Sequence, residues 1–257
     1  MNLPILKCRD VCFSYHNLTG ETQALINISF QINKGEFVAI VGPSGCGKST
    51  LLSLISGLNR PESGEILLDD PGENKIGYML QQDHLFEWRT IKQNVLLGPE
   101  VNKTLTKEKE ELALKLLNDY GLYKFKDKKP SELSGGMKQR AALIRTMVME
   151  PSLLLLDEPF SALDYQTRLM VSADIGHIIK KAGITAILIT HDLSEAISLA
   201  DRILVLTKRP ATIKKEIPIS LSLSDDSLLS ARNAPEFKDY FSLLWKEISD
   251  EYNTENS

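Results

Sequence analysis

The chain has 257 residues, 42% hydrophobic and 25% charged, with a net charge of −4 and a pI near 5.7. That length suits one large domain, or a core with an inserted subdomain, and it can bury a sizeable interior. The acidic balance speaks against nucleic-acid binding, which favours basic patches, and the short strip Lys124–Lys129 reads as a solvated face. No stretch approaches the roughly 18 apolar residues of a membrane span, and MNLPILKCRD lacks a basic start followed by a long apolar run. The chain is therefore expected to be soluble by itself, without a signal peptide, so that any membrane role comes through a partner. Of the three cysteines, Cys8 and Cys12 are spaced to share a strand face, but no second Cys or His pair completes a metal site; with Cys46 they read as ordinary reduced thiols.

Residues 5–13 and 25–32 read as strands, joined by a polar link in which Asn17 and Gly20 mark a turn. Residues 36–41 (EFVAIV) form a nearly all-apolar run, the pattern of a strand buried on both faces. Leu51, Leu52 and Ile55 then give Lys48–Gly57 a helical spacing, and short strands fit 64–68 and 75–80. Between buried strand and helix lies Gly42-Pro43-Ser44-Gly45-Cys46-Gly47-Lys48-Ser49-Thr50, which fits G-x-x-x-x-G-K-[ST] in the strand–loop–helix context that motif requires. Its glycines allow a tight turn that points successive N–H groups at an anion, and the helix start adds unpaired N–H groups and a partial positive charge. Lys48 brings a full charge to the β- and γ-phosphates of ATP, and the Ser49 hydroxyl can ligate Mg²⁺.

From about 83 to 150 the pattern turns helical, with helices expected near 90–97, 106–120 and 135–149; this reads as a helical insertion. Beyond it, Leu153–Asp157 (strand), 164–182 (helix), 185–190 (strand), 193–200 (helix) and 202–207 (strand) alternate, predicting a mostly parallel sheet covered on both sides. The strand Leu153–Asp157 ends in Asp157-Glu158-Pro159. Acids at the carboxyl end of a parallel strand sit where α/β sheets bind ligands. Asp157 can hold Mg²⁺ through its water shell, and Glu158 is placed to take a proton from an attacking water. The tail from about 218 is rich in Ser and Asp and becomes amphipathic at 235–248.

Leu133-Ser-Gly-Gly-Met-Lys-Gln-Arg140 names the family: it resembles the signature motif of ABC (ATP-binding cassette) ATPases. Ser134 is a natural helix N-cap, and Gly135 and Gly136 leave N–H groups open to an anion. The resemblance covers roughly residues 5–215. It implies a P-loop NTPase (RecA-like) α/β core with a mostly parallel sheet, an N-terminal antiparallel β portion and the inserted α-helical subdomain. It also implies a head-to-tail homodimer in which Ser134, Gly135 and Gly136 complete the ATP site of the opposite subunit. Further motifs fall in order. Tyr15 matches the aromatic that stacks on adenine, although a strand tyrosine also serves simply as packing. Gln81, rather than the adjacent Gln82, matches the glutamine that touches Mg²⁺ or the attacking water. Ser161-Ala-Leu-Asp164 matches the D-loop, placing Asp164 at the nucleotide, and His191 matches the switch histidine that contacts the γ-phosphate.

Leu85-Phe-Glu-Trp88-Arg-Thr90, Asn94-Val95 and Gly98 resemble the corresponding run in importers of nitrate, sulfonates and taurine, as do Leu199–Leu206, Arg209-Pro210 and Phe237–Ile248; Glu87 departs from that pattern, which has proline there. The expected organisation is a nucleotide-binding domain over 1–217, with residues 83–150 inserted, and a tail over 218–257. The expected partners are integral membrane permease subunits, served by an extracytoplasmic solute-binding protein and approached from the cytoplasmic face of the membrane. Phe86 and Trp88 suit a docking groove for a partner's helix, or else pack inside the insertion. The rival reading is a soluble ABC ATPase of DNA repair or translation. Such proteins bring long coiled coils, zinc insertions or fused cassettes, none of which is seen in this sequence.

Overall fold

The computed structural model describes residues 4–17, 20–69, 76–223 and 228–253. In chain order these form β1 (Pro4–Asn17), β2 (Gly20–Asn33), β3 (Phe37–Val41), α1 (Lys48–Ile55), β4 (Ser63–Leu68), β5 (Ile76–Met79), α2 (Ile91–Val95), α3 (Leu97–Val101), α4 (Lys107–Asp119), α5 (Gly135–Met147), β6 (Leu153–Asp157), α6 (Tyr165–Lys181), β7 (Thr185–Ile189), α7 (Leu193–Leu199), β8 (Arg202–Leu206), β9 (Ile213–Pro218), α8 (Leu228–Asn233) and α9 (Phe237–Asn253). The chain divides into two compact units, Met1–Pro71 with Ile179–Ser257, and Gly72–Ile178.

In the first unit, β2, β1 and β4 form an antiparallel sheet. β3 lies between β7 and β8, parallel to both, and β9 pairs antiparallel with β8. Every residue of β3 and β7 is buried, the fate expected of an apolar strand covered on both faces. The foot of β3 is locked by polar contacts: the Phe37 amide donates to Asp201 Oδ2 at 2.8 Å, and Arg202 Nε donates to Glu36 Oε1 at 2.5 Å with both side chains largely buried. These anchors fix where β3 starts, at the end away from the phosphate loop. α9 lays Leu244 into this unit while Trp245 stays exposed.

In the second unit β5 and β6 pair in parallel. α4 shows how local sequence builds the helical part. Thr106 caps it by accepting from the Lys109 amide, Glu108 and Glu110 sit in its first turn, and Ala113, Leu116 and Leu117 recur at helical spacing and are buried.

Three differences from the sequence reading have local causes. β1 and β2 run beyond 5–13 and 25–32, pairing as far as Asn17 with Gly20, because a hairpin ladder needs only backbone groups; residues 18 and 19, where the turn was expected, lie outside the described residues, as do Lys75 of the expected strand 75–80 and residues 224–227 and 254–257 of the tail. The expected helix 90–97 is instead α2 and α3, broken at Leu96, because Pro99 has no N–H to return to Val95. A register shift between Cys8 and Val11, with Asp10 at φ 46°, separates the two cysteines expected on one face. Cys8 is buried, and its thiol is pushed up to about 12 by that burial, whereas Cys12 is partly exposed. β9 and α8 were not anticipated.

Candidate active site

The first unit carries the phosphate loop. It leaves the buried end of β3 and enters α1, whose N-cap is Gly47, so that no side chain caps the helix start. Gly47 has φ 122°, and a Cβ there would lie 3.0 Å from Leu25 Cδ2 and 3.3 Å from the Ala24 carbonyl. Only glycine fits a loop held this close to β2. Lys48 is buried, and its Nζ donates to the carbonyls of Gly42 (2.9 Å) and Pro43 (2.8 Å), drawing the ammonium into the loop. Ser44, Gly45 and Ser49 are exposed. The arrangement fits a polyphosphate: an uncapped helix start and a cation on one side, with solvent access at the crest. Burial raises the Cys46 thiol above its ordinary value against the pull of Lys48, so Cys46 is a packing residue of the loop.

Tyr15 on β1 hydrogen-bonds through its hydroxyl to Thr50 Oγ1 at 2.9 Å and stacks edge-on with Phe13 at 5.0 Å, leaving its ring 43% exposed beside the loop. His191 is exposed just after β7. Its turn is held by neighbours: Thr190 Oγ1 donates to Glu195 Oε2 at 2.7 Å, and Asp192 caps α7 by accepting from the Ser194 and Glu195 amides.

The second unit carries the carboxylates. Asp157, at the end of wholly buried β6, is itself buried and accepts a hydrogen bond from the Tyr78 hydroxyl at 3.2 Å. Tyr78 escaped the sequence reading; its signal was a phenol in the otherwise apolar β5, three residues before Gln81. Glu158 follows at φ 45°, in the left-handed region that costs a non-glycine residue energy and often marks function. Its carbonyl accepts from Ser161 Oγ (3.0 Å), and Ser161 Oγ accepts from Gln81 Nε2 (3.1 Å). Gln81, the D-loop serine and the Glu158 backbone thus form one connected chain. Within this unit Asp157 and Gln81 offer side-chain oxygens of the hard kind that suits Mg²⁺.

The signature segment starts α5. Ser134 is the N-cap and accepts from the Met137 amide at 3.4 Å. Its glycines answer a second need. A Cβ on Gly136 would lie 2.8 Å from Val171 Cγ2 and 3.0 Å from Thr167 Cγ2, so Gly136 lets α5 and α6 approach, while Ser134 and Gly135 remain exposed. Asp164 accepts from the Thr167 amide at 3.0 Å near the start of α6, and hydrogen bonding from the Thr167 side chain, then from its amide, holds the carboxyl below the ordinary range. Trp88 is 72% exposed and stacked on Phe86 at 4.7 Å, so the indole does not pack inside the helical part. The loop is held from within by fully buried Asn94, whose side chain bonds the backbone of Phe86, Arg89 and Thr90. Glu87, where the importer pattern has proline, faces Lys138 at 3.7 Å.

Residues 25–161 match the family described as ABC transporter. Over 243 residues the chain is 46% identical to an uncharacterized ABC transporter ATP-binding protein of Bacillus subtilis, covering 93% of this chain and 94% of that one. Over 230 residues it is 41% identical to the nitrate import ATP-binding protein NrtD of Synechocystis, covering 86% of each. Among solved structures, the dimeric ATP-binding cassette MJ0796 bound to ADP and Pi is similar, with a TM-score of 0.70 at 31% identity over 84% of this chain and 99% of that one.

Proposed function

The chain belongs to the ABC transporter family, and on that premise we propose that it is the ATP-hydrolysing subunit of an importer, peripheral on the cytoplasmic face of the membrane and working as a homodimer against integral permease subunits. The observation that carries the reading is the phosphate loop: a buried lysine drawn into a glycine-lined turn ahead of a helix start that no side chain caps. The loop amides of Gly42–Thr50 and the Lys48 ammonium would hold the β- and γ-phosphates, with Tyr15 against the adenine. Ser134, Gly135 and Gly136 of the second copy would close over the same nucleotide, together with Asp164. Ser49, Gln81 and Asp157 would hold Mg²⁺, which when bound neutralises charge on the phosphate oxygens. Glu158 accepts the proton of the attacking water, and His191 contacts the γ-phosphate. Closure of two such sites supplies the differential binding that shifts the permease between states.

The run Leu85–Gly98 and the nitrate-import relative support a small solute such as nitrate, a sulfonate or taurine, delivered to the permease by a solute-binding protein. The test is Glu158→Gln in the purified protein. Nucleotide binding should persist while hydrolysis falls at least about a hundredfold, the usual share of a general base. Hydrolysis at the wild-type rate would remove Glu158 from that role.

A further inference from the structure

The turn between β8 and β9 reaches the phosphate loop. Arg209, in this turn, donates from Nη2 to the carbonyl of Gly45 at 2.7 Å, at the exposed crest of the loop. The turn itself is stiff. The Thr207 amide donates to the Thr212 carbonyl and the Thr212 amide to Thr207 Oγ1 (3.0 and 2.9 Å), while Ala211 exchanges backbone bonds with Ala24 and Ile26 on β2. Its other side is held by α9. Glu251 accepts from the Lys208 amide at 3.0 Å and pairs with Lys214 at 2.9 Å, and Glu247 pairs with Lys215 at 2.7 Å. The Glu251 and Glu247 side chains are only 13% and 17% exposed, so this is a packed polar seam and not a screened surface contact. Burial works to raise the Glu251 carboxyl, yet the Lys208 amide and Lys214 outweigh it and hold it below its ordinary value.

We infer that Arg209 is a positioning residue for the phosphate loop, and that α9, acting through Glu251, holds the turn that presents it. The inference rests on the ATP-binding reading of Gly42–Thr50. Gly45 sits at φ 72° in a glycine-rich loop, so nothing in its own side chain fixes the plane of the Gly45–Cys46 peptide. A guanidinium on the Gly45 carbonyl fixes that plane. It turns the oxygen toward Arg209, while the Cys46 N–H on the opposite side of the same peptide donates to the Pro43 carbonyl at 3.3 Å, so the two contacts together hold the crest of the loop in one conformation. The loop then meets a phosphate already ordered, and less conformational freedom is lost on binding. The C-terminal helix thereby acquires a role in setting nucleotide affinity, although none of its residues belongs to the nucleotide-binding motifs.

The experiment is equilibrium binding of a fluorescent, non-hydrolysable ATP analogue with Mg²⁺ to the full chain, alongside steady-state ATPase. Arg209→Ala should weaken binding about three- to tenfold and raise KM in proportion with kcat nearly unchanged, the range for losing one solvent-exposed hydrogen bond of ordinary strength. Arg209→Lys, which keeps the charge on a flexible stem, should recover part of the loss. Glu251→Ala should weaken binding about two- to threefold, and the Arg209→Ala/Glu251→Ala double variant should be no weaker than Arg209→Ala alone, because Glu251 acts through Arg209. Independent structural damage would instead give additive losses and a lower Tm. Lys48→Ala separates the two readings. If wild type binds, Lys48→Ala does not, and Arg209→Ala stays within about twofold of wild type, the positioning role is refuted while the ATP site stands. If wild type and Lys48→Ala bind equally poorly, the ATP site itself is wrong and this inference falls with it.

Discussion

Tyr78→Phe isolates a single contact at the carboxylate assigned to Mg²⁺. The phenol donates to Asp157 Oδ2 at 3.2 Å, and both residues belong to the paired strands β5 and β6. Phenylalanine keeps the ring and leaves no cavity, so the substitution removes only the hydroxyl. A hydrogen bond to a charged acceptor contributes about 1.5–3 kcal/mol, but 3.2 Å is long for an O–H donor, which argues for about 1 kcal/mol. That converts to roughly fivefold in affinity. The direction follows from orientation: the strand fixes the Asp157 backbone, and the phenol fixes which way its carboxylate turns. In a titration of ATPase activity against Mg²⁺, half-saturation should rise about fivefold, with kcat at saturating Mg²⁺ close to wild type. Burial, and then the Asp157 charge, raise the Tyr78 pKa above the ordinary phenol value. A raised phenol stays protonated as pH climbs, so the fivefold difference should be flat from about pH 6 to 9. An unchanged Mg²⁺ half-saturation would refute the positioning of Asp157 by Tyr78, and a loss confined to kcat would move Asp157 away from the metal.

Two further outcomes follow from the geometry. Gly136→Ala puts a Cβ 2.8 Å from Val171 Cγ2; overpacking costs about 1–3 kcal/mol while helix propensity returns at most about 1, so Tm by calorimetry should fall by several degrees, and an unchanged or higher Tm would show that α6 yields freely. Trp88→Ala removes the exposed indole without opening the core; in vesicles carrying the permease it should leave basal ATPase intact and cut ATP-driven solute uptake by tenfold or more, as loss of about 2 kcal/mol at an anchor predicts, and normal uptake would count against docking at this loop.

Motif chemistry was legible in the sequence because it is local. The phosphate loop needs glycines, a lysine and a serine at fixed spacing between one strand and one helix, and the structure has that strand, loop and helix at β3 and α1. Asp157 and Glu158 were legible for the same reason, as the polar end of an apolar strand. Contacts between distant segments left weaker traces or none. Nothing near Tyr78 in the sequence says that its hydroxyl meets a residue on β6, and nothing near Arg209 says that it reaches Gly45. Gly136 was read as leaving N–H groups open, but its absent side chain is also required by α6.

Alternation of polar and apolar residues, capping residues and fixed-spacing motifs act within a few residues of chain, so the sequence by itself determined the alternating strands and helices, the phosphate loop and the paired acids. The tertiary structure decided what those elements touch. It extended the β1–β2 hairpin and joined Gln81 to Glu158 through Ser161. It also seated α9 on the turn that holds Arg209 against the loop. The physical reason is range: propensity and periodicity are properties of neighbours along the chain, whereas a hydrogen bond or a missing Cβ acts between atoms that only folding brings within a few ångströms.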